Sequence, residues 1–394
     1  MKRFHRLAYG GAALVVAAAV LSVHLVAASG NTARSGRVHV VRGTVPPAGL
    51  EVRADRLVRP GRRTQTLGAP ASGGLVGTAL PVAALSPDGT ALAYETFAWK
   101  RPIDWSKSFA DLGIETGDPL AVPAIRLRDL ATGRETSLGE GSASIAWRAD
   151  GTLAYVVGEP PRYRANLPFL ATVVVRTPAG ATTTWTPQPE RYEVAGWARR
   201  TLIVEQHFPG AAPDLLAFDG PDDSRTLARD MSFIGVSPEG DRVLVVDTGD
   251  NPHARVRLIR VADGVEIASM PVADIRDPVT QDPVAWIVGY GDWRGDAVVV
   301  ASETGLVVLR VRDDVAVEQV LHLDVATRPN SSLVEPRFAD DRTITAWGGF
   351  PIERSHVQAV QYACDRYSLS CTRSAPVSPR EAPRPVFDSS GGSS

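Results

Sequence analysis

Apolar residues fall in short runs cut by polar clusters, and no long stretch keeps the 3.6-residue apolar spacing of an amphipathic helix. Strand signals come every eight to twenty residues instead. One phrase recurs: Leu85-Ser-Pro-Asp-Gly-Thr-Ala-Leu-Ala-Tyr94, Trp147-Arg-Ala-Asp-Gly-Thr-Leu-Ala-Tyr155, Val236-Ser-Pro-Glu-Gly-Asp-Arg-Val-Leu-Val245 and Phe338-Ala-Asp-Asp-Arg-Thr-Ile-Thr-Ala346. Each is a strand end, a tight acidic turn and an apolar strand. Such repetition predicts an all-β fold, a six- or seven-bladed β-propeller, preceded by one N-terminal hydrophobic helix.

Six blades can be placed, over 82–138, 144–185, 192–227, 232–270, 284–323 and 333–374. Residues 50–67 read as one more strand pair, either completing a seventh blade or supplying the strand that closes the ring. Closure is needed because an open ring exposes edge strands. The Asp-Gly and Glu-Gly turns supply positive φ, and Pro87 and Pro238 preset the first corner, so these residues are read as structural. Trp147, Trp197, Trp286 and Trp347 recur near first or second strands and read mostly as packing between blades.

Outside the repeats the pattern changes. Lys2, Arg3 and Arg6 precede an apolar run, Leu7 to Ala28, without acidic residues, Lys or Arg and with His24 as its one titratable side chain apart from Tyr9. Residues 1–28 thus predict a signal or anchor segment, cleaved after Val26-Ala27-Ala28 or retained across a membrane. Both readings place the remaining chain outside the cytoplasm, membrane-anchored or secreted. Residues 29–49 read as a linker, 50–374 as the propeller, and 375–394 as a disordered tail rich in Pro, Ser and Gly. Cys364 and Cys371 are the two cysteines, and six residues separate them. An even spacer lets them face across a hairpin with a two- or four-residue loop, which in an exported chain predicts a disulfide.

Charge narrows the partners. A formal net charge of −2 over 394 residues argues against nucleic acid, which requires a clustered basic surface. No Gly-x-Ser-x-Gly or His-Glu-x-x-His occurs, and no catalytic set or cofactor motif stands out.

On the repeated residues the chain resembles the TolB-like, or PD-repeat, propellers. Leu85 to Tyr94 matches that pattern closely. Residues 146–155 carry Arg-Ala for Ser-Pro, 236–246 carry Glu for Asp, and 338–346 is degenerate. The second turns, Leu130-Ala-Thr-Gly-Arg134 and Val261-Ala-Asp-Gly-Val265, fit as well. The resemblance covers roughly 50–375 and lacks the TolB amino-terminal domain and the Gly-His and Trp-Asp marks of WD repeats. It implies an exported propeller acting mainly through protein contacts.

Loop length suggests where those contacts lie. Second-to-third-strand loops are long, at 98–123, 158–169, 207–213, 248–254 and 349–355, and in a propeller they share one face. They carry the candidate partner-binding residues Trp99, Lys100, Arg101, Trp105, Tyr163, Arg164, His207, His253 and Arg354. The expectation is a non-catalytic, monomeric scaffold that binds an envelope protein or a cell-wall component. The alternative is a hydrolase or lactonase with a metal at the channel mouth, built on Asp247, Asp250, Asn251 and His253.

Overall fold

The computed structural model describes residues 34–45, 51–53, 56–58, 64–68, 83–99, 121–140, 145–158, 170–186, 188–208, 211–247, 253–287, 289–323, 333–352, 356–375, 384–385 and 387–388. These residues form seven sheets, one per blade, so the propeller is seven-bladed. The expected N-terminal helix lies outside the described residues, among which no helix is long and apolar enough to cross a membrane.

Blade 2 runs Ala83–Leu85, Ala91–Trp99, Ala121–Asp129, Glu135–Glu140. Blade 3 runs Ile145–Trp147, Leu153–Gly158, Ala171–Arg176, Thr182–Thr184. Blade 4 runs Tyr192–Ala198, Thr201–Gln206, Asp214–Gly220, Asp223–Ala228. Blade 5 runs Met231–Val236, Arg242–Asp247, Arg255–Arg260, Glu266–Pro271. Blade 6 runs Asp292–Arg294, Ala297–Ala301, Gly305–Val311, Val315–His322. Blade 7 runs Leu333–Phe338, Thr343–Ile352, His356–Asp365, Ser370–Arg373. Blade 1 takes Glu51–Arg53, Arg56–Val58 and Gln65–Thr66 from one end of the chain and Arg384–Pro385 from the other.

Within the stretches expected as linker and tail, four short strands pair with the blades, and most of the remaining residues there lie outside the described residues. Arg384–Pro385 pairs antiparallel with Glu51 and Val52, and Phe387–Asp388 pairs parallel with Ala84 and Leu85. Gly36–Arg37 lies parallel on the last strand of blade 6, and His39–Arg42 on the last strand of blade 7. These segments satisfy edge groups that open blades would leave unpaired. Val38, between them, is buried among Leu321, Leu323 and Cys371.

The core lies between blades, and strand alternation builds it. Val298 and Val300 join the cluster shared with blade 5, while Val299 and Ala301 join the one shared with blade 7. A middle strand thus buries both faces, which is why it reads as a continuous apolar run. The repeated turn is held by its own residues. The Asp88 carboxylate accepts from the Ser86 hydroxyl at 2.6 Å and from Thr90 N–H at 3.0 Å, and Gly89 sits at φ +69. Asp150 and Asp340 accept N–H groups in the same way. The acidic repeat positions are therefore turn residues.

Two tryptophans tie each blade to the one before. Trp147 Nε1–H donates to the Ala84 carbonyl at 3.0 Å, and Trp197 Nε1–H to the Ala146 carbonyl at 3.2 Å. Trp147→Phe keeps a ring but loses the bond, so a loss of about 1–2 kcal/mol is expected in urea unfolding. An unchanged midpoint would assign the contact to packing alone.

Candidate functional site

In a ring of up-and-down blades, second-to-third-strand loops and inter-blade connections emerge on one face, and the tight turns on the other. Much of the loop face lies outside the described residues: Lys100, Arg101, Trp105, Tyr163, Arg164, Asp250, Asn251 and Arg354. Trp99 ends a strand, paired with Ala121. The expected loop at 349–355 is largely strand, since Gly349–Ile352 pairs with His356–Ala359. His253 is described and exposed.

The best-defined feature of this face is the connection from blade 5 to blade 6, residues 272–291, which sequence reading assigned in part to a blade strand. It is fixed at several described positions. Val272 N–H donates to the Ala254 carbonyl at 2.8 Å. Asp277 Oδ1 accepts the N–H groups of Val279 and Thr280, and its Oδ2 meets His322 Nδ1 at 2.6 Å. The Glu303 carboxylate receives the N–H groups of both Ala285 and Trp286. Tyr290 and Gly291 donate to the carbonyls of Phe233 and Ile234. Held this way, Trp286 is 41% exposed, not packed between blades as its spacing suggested. A depression beside it is lined by Val246, Asp247, Ala254 and Gly289.

Six large apolar side chains are exposed among the described residues. Leu170, Phe208, Val279 and Trp286 lie in connections of the loop face, Val265 in a turn of the opposite face, and Val41 in an edge strand. Apolar exposure is thus concentrated on one side of the ring.

The connection ends at a buried polar cluster. Glu193 and Glu205 face each other across the first two strands of blade 4, and His207 follows directly. His207 Nε2 lies 3.1 Å from Glu193 Oε2 and 3.7 Å from Glu205 Oε2. Glu205, 2% exposed, accepts Phe233 N–H at 2.7 Å and the Tyr290 hydroxyl at 2.6 Å. Burial, then the charge of Glu193, pushes the Glu205 carboxyl up to about 7, against its hydrogen bonds and His207. Burial opposes the charge on His207, yet Glu193 and then Glu205 hold its pKa above the ordinary imidazole value. Burial and the same carboxylates keep Tyr290 protonated, as the hydrogen-bond donor. Such a cluster can share a proton or hold a cation.

Sequence reading found His207 but missed its partners. Glu205 interrupts an apolar run and shares a strand face with His207, two residues on, which is a local signal. Glu193 enters only through cross-strand register, and Tyr290 through a connection between blades. Of the metal set expected around Asp247, Asp250 and Asn251 lie outside the described residues. Asp247 itself is held by Arg257 with two bonds of 3.0 Å and by Arg255 N–H at 3.1 Å. His322, on the fourth strand of blade 6, is paired with Asp277, away from this cluster.

No protein-family description matches the chain, and no curated protein matches it. Among solved structures it is similar to a prolyl endopeptidase at 14% identity and TM-score 0.48, over 83% of this chain and 48% of that one. It is similar to the β-propeller domain of the Trilobed protease from Pyrococcus furiosus at 12% identity and TM-score 0.45, over 85% of this chain and 98% of that one. It is also similar to TolB from Acinetobacter baumannii at 12% identity and TM-score 0.35, over 64% of this chain and 59% of that one. The chain therefore spans about half the length of the prolyl endopeptidase and less than two thirds of TolB. These likenesses concern fold alone, and the seven-bladed assignment stands on the strand pairing itself.

Proposed function

We propose that the chain is a non-catalytic, extracytoplasmic binding propeller that holds another envelope protein against its loop face, tethered or exported by residues 1–28. The observation that carries this reading is the gathering of Leu170, Phe208, Val279 and Trp286 on that face, with Trp286 on a backbone fixed at both ends. Aromatic anchors on a pre-ordered surface bind well because little freedom is lost on association. Cleavage of the tether is left to either outcome, since both deliver the ring to the same side of the membrane.

The test is affinity purification from gently solubilised envelope, comparing wild type, Phe208→Ala/Trp286→Ala and, as an opposite-face control, Val265→Ala. A near-stoichiometric protein is expected with wild type and control. The double substitution is expected to weaken it about 100-fold, as for two hot-spot side chains. Equal capture by all three would contradict the reading.

A further inference from the structure

We infer that Glu193, Glu205 and His207 form a binding site for one divalent transition-metal ion of the zinc class. The inference is independent of the partner proposed above. Among the described residues, these are the one group of three or more His, Cys, Asp or Glu side chains placed to share an ion, with ligand atoms within 4.8 Å of one another. A nitrogen and an oxygen bound to one tetrahedral zinc stand about 3.3 Å apart, given metal–ligand distances of about 2.0–2.1 Å. The two imidazole–carboxylate separations here, 3.1 and 3.7 Å, bracket that value.

Three further features fit an ion. His207 Nε2 is buried, yet neither carboxylate is aligned with it as a hydrogen-bond partner. An atom on the axis of that nitrogen, close to both carboxylates, would complete all three groups. Glu193 and Glu205 are direct cross-strand neighbours, so their carboxyl groups reach one point from opposite strands and an ion there would relieve their mutual repulsion. The carboxylate of Glu205 is also fixed in orientation, Oε2 by the Tyr290 hydroxyl and Oε1 by Phe233 N–H, the kind of outer support that orients a metal ligand. Mixed imidazole and carboxylate donors suit zinc and its neighbours, whereas calcium requires six or more oxygens. Glu193 and His207 are partly exposed, at 16% and 23% of their side chains, so an ion can enter and keep a water from that side.

The test uses untagged full-length protein stripped with chelator, then titrated with zinc by calorimetry, with bound metal counted after gel filtration. One equivalent per chain and a raised thermal midpoint are expected. His207→Gln and Glu193→Gln lie on the exposed side of the cluster, and their folding is checked by metal-free unfolding. Each is expected to weaken zinc at least tenfold. Zinc bound equally by wild type and by both variants, or no zinc bound by wild type, would overturn the inference. Failure here leaves the partner-capture result untouched.

Discussion

Replacing Asp277 by alanine is expected to lower stability by about 3–5 kcal/mol, the range for removing one partner of a buried ion pair. Asp277 and His322 are 1% and 3% exposed, and their contact joins the blade 5–6 connection to the fourth strand of blade 6. Alanine also removes the acceptor for Val279 and Thr280 N–H, so the turn at 277–281 loses its internal brace. Asp277→Asn keeps an acceptor for the turn and should lose about half as much. Burial raises the Asp277 carboxyl, but the bonds from His322, Thr280 and Val279 outweigh it and the net shift is downward. A lowered folded value means the stabilisation is complete above the unfolded carboxylate value of about 3.9 and fades as pH falls through the folded one. Wild type and Asp277→Ala should therefore differ most at neutral pH and converge in acid. Urea unfolding at several pH values checks this, and a pH-independent difference would assign the loss to packing.

The second large effect is expected at the disulfide. Cys364 and Cys371 are bonded and buried, in register across the last hairpin of blade 7. The loop is the four-residue version, Arg366–Leu369, between the paired Asp365 and Ser370. Closing so short a loop contributes about 2–3 kcal/mol through the unfolded chain. The strand bearing Cys371 also carries His39–Arg42 on its outer edge, so the hairpin supports the N-terminal closure. Cys364→Ala/Cys371→Ala is expected to cost about 2–4 kcal/mol, with early loss of exchange protection at 38–43. Native protein should show no thiol to a labelling reagent, and reduction should reproduce the double variant. Unaltered unfolding after complete reduction would contradict this role.

The sequence carried the fold where the structure is local. Ser86-Pro-Asp-Gly89 and its relatives hold their turns with their own side chains, so they announce hairpins without tertiary help. Two-sided burial of runs such as Ala297–Ala301 and the six-residue cysteine spacer are legible for the same reason. Ring closure was harder. Val38-His39-Val40-Val41 has a strand's composition, but its partners, His322 and Ser370–Thr372, are far off in the chain and their register has no local mark. Gly349-Phe-Pro-Ile352 reads as a loop, and becomes strand because His356–Ala359 pairs along it. At the site, His207 and Glu205 sit two apart and could be read together. Glu193 and Tyr290 join them only through folding, and Trp286 stays exposed because Glu303 holds its backbone away from the blades.

The claim that the loop face is the working surface is tested most directly by hydrogen exchange on the isolated complex with the co-purified protein. Slowed exchange is expected at 207–208 and 284–290, with no change in the opposite-face turns at 178–181 and 262–265. Protection confined to those turns, or spread evenly around the ring, would contradict it.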